Sequence, residues 1–108
     1  MVFGRSASED DIPAEAARSV VPKAADDDFR LLGTVDDAKY YAVVLKGEAD
    51  PWCLLRVDGS GEAAAPCSSE PRLVSYYSAN IVALSNDRPD EIQDWREIGT
   101  SFWVAASP

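Results

Sequence analysis

The sequence predicts a mainly β fold with a peripheral α-helix: a small antiparallel sheet of about seven short strands, built as a meander plus a hairpin, either curled or in two layers. Three observations carry this. Short runs rich in β-branched and aromatic residues recur from Phe29 onward, separated by turn residues. The stretch Trp52 to Cys67, WCLLRVDGSGEAAAPC, has two apolar arms around the turn Asp58-Gly59-Ser60-Gly61. Helical spacing is confined to one short segment near the N-terminus, where Ile12, Ala16 and Val20 recur.

Taken in order, residues 1–28 carry seven acids against three bases and read as an acidic stalk with a short helix over about 12–20. Asp11 serves as the helix N-cap and Pro22 as its stop. That apolar stripe is too narrow to fold alone, so it packs on the sheet or belongs to a tether. The run Asp26-Asp27-Asp28 lacks the ligand spacing and turning glycine of a calcium loop, and a solvated linker is the simpler reading.

Residues 29–108 form the β-domain. Strands are expected at 30–35, 39–45, 52–57 and 63–67, joined by short loops into a four-strand meander. In KYYAVVL, over 39–45, both faces look at least half buried. A second hairpin pairs 72–77 with 81–85 around Ser78-Ala79-Asn80. Residues 86–99 are polar and irregular, with a helical turn at Asp90 to Arg96 placing Ile92 and Trp95 together, and 101–106 is a closing strand.

The hairpin is the most informative element. If Val57 faces Ala63 across the turn, Cys53 stands opposite Cys67, and alternation puts both sulfurs on one face. Gly61 then takes the left-handed position of a three-residue loop. A cross-strand disulfide is geometrically allowed, with two buried free thiols as the alternative. In a chain of 108 residues, closing a loop of about 15 residues would remove roughly 3 kcal/mol of unfolded-state entropy. Such a bond implies an oxidising, extracytoplasmic compartment.

Composition excludes several functions. There is no histidine and no third cysteine, so neither a zinc site nor a Ser-His or Cys-His nucleophile can be assembled within the chain. The cysteine spacing is not that of a thioredoxin-like centre. Glu48, Asp50, Glu62 and Glu70 surround the hairpin ends, yet nothing in the sequence makes them converge as a glycosidase pair. No glycine-rich phosphate loop is present. The expectation is therefore a non-enzyme with no catalytic residue, metal or cofactor. A net charge of −9 disfavours nucleic acid and leaves a protein or cell-envelope ligand as the partner. Aromatics come partly in adjacent pairs, one member of which should face out, and Tyr40, Trp52, Tyr76 and Trp103 are the candidate partner surface. Core packing is the competing reading for each of them. The alternative function is an acidic inhibitor or immunity-type protein that binds a basic partner.

The succession VFGRSASEDDIP, RLLGTVDDAKYYAVV, CLLRV…AAAPCSS and GTSFWVA resembles the extracytoplasmic domain of small single-pass membrane proteins of actinobacteria. The resemblance implies that Phe3 and Arg5 lie in a membrane-proximal stalk and that Cys53 and Cys67 are bonded, and it implies no catalytic residue. It also implies a binding domain anchored in the cell membrane by a preceding helix of about twenty apolar residues. No such run, and no signal peptide, lies in MVFGRSASEDD, so either the protein is cytosolic or the chain is a soluble piece of a longer one; the resemblance implies the second, with Met1 an artificial start just after that helix.

Overall fold

The computed structural model describes residues 11–13, 15–25, 28–35, 37–70, 72–76, 80–85, 89, 95–99 and 102–106. Among these, nine strands form two antiparallel sheets. The first sheet contains β1 (Phe29–Val35), β2 (Ala38–Val44), β3 (Trp52–Val57), β4 (Ala63–Ala64) and β5 (Cys67–Ser68). Its order is β1-β2-β3, with β4 and β5 sharing the far side of β3. The second contains β6 (Leu73–Tyr76), β7 (Asn80–Leu84), β8 (Arg96–Gly99) and β9 (Phe102–Ala106), in the order β6-β7-β9-β8. Of the two expected arrangements the layered one forms, and the strands number nine rather than seven.

The two extra strands have separate causes. The expected strand 63–67 is split, because Pro66 occupies a position whose main chain faces β3 and has no N–H to give it. Only the Leu54 amide bonds there, donating to the Pro66 carbonyl at 3.0 Å. The other addition, β8, is too short and polar to show alternation: Arg96, Glu97 and Ile98 are all exposed. It pairs with β9, so Arg96 belongs to a strand and not to a helical turn. Trp95, just before it, is buried in no regular element, and residues 90–94 of that expected turn, Ile92 included, lie outside the described residues, as do Tyr77, Ser78 and Ala79 of the second hairpin.

The expected helix over 12–20 is not formed. A single turn, Glu15–Arg18, is followed by further turns up to Lys23. Pro13 and Pro22 bracket the segment, and isolated helices this short cannot offset their nucleation cost. Asp11, expected as that helix's N-cap, accepts the amide hydrogen of Leu31 at 2.7 Å and so ties the segment to the sheet.

Alternation sorts side chains into layers. Between the sheets lie Tyr40, Ala42 and Leu54 from the first, and Val82, Leu84, Phe102 and Val104 from the second. Leu32 is an extra residue in β1, where the register with β2 shifts between Leu31 and Gly33. Gly33 then lets the second sheet come close: a Cβ built there would stand 3.3 Å from Ile98 Cγ2 and 3.5 Å from the Phe102 ring. The outer face of the first sheet is covered as well. Phe29, Tyr41, Val43, Cys53 and Leu55 pack there under Val21 and Ala24.

Candidate binding groove beside the disulfide

The hairpin holds the predicted register. Val57 pairs with Ala63 and Cys53 with Cys67, the same alignment persisting on both sides of Pro66. Asp58 closes the turn. Its amide donates to the Glu62 carbonyl at 2.9 Å, and its own carbonyl accepts the Gly61 amide at 3.0 Å. Gly61 has φ of 91°, the left-handed conformation that a three-residue loop requires and a side chain disfavours. The Asp58 carboxylate accepts the Ser60 hydroxyl at 2.6 Å, the Ser60 amide at 2.9 Å and the Glu62 amide at 3.1 Å. These bonds, the Ser60 hydroxyl first, hold Asp58 below the usual aspartate range, with Arg56 adding a smaller attraction.

Leu54 and Pro66 face each other as a hydrogen-bonded position, so the neighbouring pair Cys53–Cys67 is a non-hydrogen-bonded one, where opposed strands come closest. The two cysteines are bonded, with Cα atoms 4.0 Å apart. Cys53 is completely buried and Cys67 is exposed, so the bond pins the edge of the sheet to its interior.

A groove of about 390 Å³ opens beside this bond. One wall is Val20, Val21 and Pro22, another is Leu45 and Ala49, and the third is Ala65 with Cys67. Each wall has its own anchor. Residues 11–25, assigned by sequence to the stalk, lie on the first sheet: Ala17 and Val21 are buried, and the Arg18 guanidinium stands 5.4 Å from the centre of the Phe29 ring. The loop after β2 is closed by the Leu45 amide, which donates to the Pro51 carbonyl at 2.8 Å. An ion pair between Lys23 and Glu48 ties these two walls together, and Asp50 completes the rim. Val20, 41% exposed, leaves apolar surface at the mouth. What the groove offers is an apolar floor with a polar rim, the Lys23–Glu48 pair and Asp50.

At the opposite side of the same face, Tyr41 is buried and titrates above the ordinary tyrosine range. Desolvation is the main cause, and the negative charge of Asp11 adds to it. Among the described residues no group of three or more Cys, Asp or Glu side chains could hold a metal ion.

Of the four aromatics expected to form a partner surface, the three whose side chains are described do not share one. Tyr40 is 2% exposed in the layer between the sheets, against Phe102 at 5.2 Å between ring centres, and its hydroxyl accepts the Arg56 Nε hydrogen at 3.1 Å. It is a core residue, because both faces of β2 are covered; Tyr41 is buried on the other face. Trp52 is half-buried at the start of β3, opposite Val44 and Ser68. Trp103 is half-buried on the outer face of the second sheet, where its indole N–H donates to the Ser85 carbonyl at 3.0 Å. Tyr76 pairs with Ile81, and its side chain lies outside the described residues. Nearby, the buried Trp95 indole N–H meets no acceptor among the described residues.

The sequence marks Val20 only as part of a helical repeat, and nothing in it marks Val20, Leu45 and Ala65 as lining one groove. Their signal would have been the charge-free run Ala63-Ala64-Ala65-Pro66, unusual for a strand beside water. No helix among the described residues is long and apolar enough to cross a membrane. No protein family, curated protein or solved structure matches the chain.

Proposed function

We propose that this chain is a non-enzymatic binding domain of a membrane-anchored protein, working in an oxidising, extracytoplasmic compartment. The observation that carries the reading is the disulfide between Cys53 and Cys67, which staples a thin sheet edge beside an apolar groove. Structural disulfides form and persist where thiols are not kept reduced. The groove supports binding as the role: it has apolar walls for contact and a polar rim for orientation, while the chain has no histidine to act as a general base at neutral pH. Membrane anchoring rests on the resemblance to single-pass actinobacterial proteins.

The test is to trap thiols in intact source cells with an alkylating agent, then denature the protein without reductant and weigh it. Expected is a chain with no alkyl group on either cysteine, fractionating with membranes and cleaved by protease added outside the cell. Two alkylated cysteines, or a chain shielded from the protease until the cells are lysed, would overturn the reading.

A further inference from the structure

The two edges of the first sheet are treated differently. At β1, the amide of Leu31 is taken by the Asp11 carboxylate. At the β4–β5 side no such cover is present among the described residues. Leu54 bonds to Pro66 and Asp58 to Glu62, so the main chains of residues 62, 64, 66 and 68 face β3. By alternation, Ala63, Ala65 and Cys67 turn their N–H and C=O groups outward. Pro66 falls in an inward position, where it costs a bond to β3 but leaves all three outward amides intact. Between Glu62 and Glu70 the edge carries no lysine and no outward-facing proline; only the shortness of β4 and β5 guards it.

Ala65 and Cys67 also form a wall of the groove, so the unpaired main chain and the apolar pocket adjoin. We infer that this edge accepts an extended segment of a partner protein as an additional strand, with aliphatic side chains on one face and basic ones on the other. Residues of the incoming strand opposite Ala65 and Cys67 carry their side chains to the groove face, between Val20, Pro22 and Leu45. Its alternate residues turn to the other face, the face of Glu62, on a chain whose net charge is −9; Glu48, paired with Lys23, and Asp50 stand on the groove side. Main-chain pairing supplies attachment, the pocket selects an aliphatic side chain, and Glu62 with the chain's overall negative charge favours a cationic sequence.

This inference rests on the binding-domain reading, and its test uses a different readout. The probe is a seven-residue peptide alternating lysine and valine, added to the isotope-labelled, disulfide-bonded chain and followed by amide NMR and hydrogen exchange. Expected is slowed exchange at Ala63, Ala65 and Cys67, and at least tenfold weaker binding of the peptide in which glutamate replaces lysine. Two further peptides are N-methylated on either the valines or the lysines. A paired strand turns only one set of its amides to the sheet, so one methylated peptide loses binding at least tenfold and the other keeps it.

Equal binding of the two methylated peptides, or shifts at Val20 and Leu45 without exchange protection of the three edge amides, would overturn strand addition while leaving a binding groove. No binding by any peptide would overturn it too, with the compartment and the disulfide still decided by thiol trapping. Concentration-dependent dimerisation that protects these same amides without peptide would assign the edge to a second copy of the chain, and would also overturn it.

Discussion

Asp11 is 1% exposed, and its carboxylate accepts the amide hydrogen of Leu31 on the outer edge of β1. Replacing it with alanine leaves a donor at the sheet edge without its partner, at a cost of about 1–3 kcal/mol measurable by urea unfolding. Asp11→Asn keeps an acceptor but removes the charge, which separates the two roles of this side chain. Its reporter is Tyr41, whose titration is raised first by burial and second by Asp11. The folded state disfavours the phenolate, so the associated stability is full below the unfolded tyrosine value of about 10 and is lost as pH rises through the higher folded value. In Asp11→Asn, the tyrosinate absorbance of Tyr41 should titrate lower than in the parent yet still above the ordinary range, and the alkaline loss of stability should shrink. A tyrosine titration identical in the two proteins would show that Asp11 does not act on Tyr41. None of this was legible in the sequence, where Asp11 reads as a helix cap: its partner lies 20 residues away, on a strand edge. Tyr40 misleads for a related reason. Adjacent tyrosines imply that one faces water only if one face of the strand is open, and β2 is covered on both.

At the scale of elements, the hairpin was the most readable part of the chain because its turn chemistry is local. A glycine where φ must be positive and an aspartate that bonds forward to residues 60 and 62 fix the loop length, and loop length fixes the register that pairs the cysteines. The Asp58 carboxylate is correspondingly sensitive. Its value is lowered in the folded state, so the stabilisation it brings is present above the unfolded aspartate value of about 3.9 and is lost as pH falls through the folded one. The Ser60 and Glu62 amide resonances should therefore move with a midpoint below that value. In Ser60→Ala, which removes the largest cause, the midpoint should rise toward it; an unchanged midpoint would mean that the backbone amides alone set it. By contrast, the segment 96–99 pairs through a partner arriving out of sequence order, with β9 inserted between β7 and β8, and four residues of REIG carry no period that could announce it. The N-terminal segment failed as a helix because its contacts are tertiary: Val21 under the sheet and Arg18 on Phe29 hold it in place, and the helical spacing does not.

Across the whole molecule, the first sheet is an inner layer, buried on both faces, and the disulfide joins that interior to an exposed edge. The two sulfurs therefore differ chemically. A reducing thiolate can approach Cys67, which is exposed, but attack there must expel the thiolate of Cys53, which is 0% exposed among Phe29, Tyr41, Val43 and Leu55. A charge in those surroundings is costly, which makes Cys53 a poor leaving group, and attack on Cys53 itself is sterically closed. Reduction of the folded chain must wait for the β3–β5 region to open. In neutral buffer with excess dithiothreitol, alkylatable thiols should appear at least tenfold more slowly than in denaturing urea, and urea should accelerate them in step with unfolding. Reduction of the folded chain as fast as of the unfolded one would place Cys53 within reach of solvent and remove the basis for calling the bond structural. The double variant Cys53→Ser, Cys67→Ser recovers the unfolded-state entropy of a loop with 14 residues of sequence separation, and should be less stable by about 3 kcal/mol. For a domain of this size that corresponds to a fall in melting temperature of about 10–20 °C. A substantially smaller fall would mean that the hairpin is held by its turn and by the apolar layer beneath it, with the disulfide guarding the edge rather than the fold.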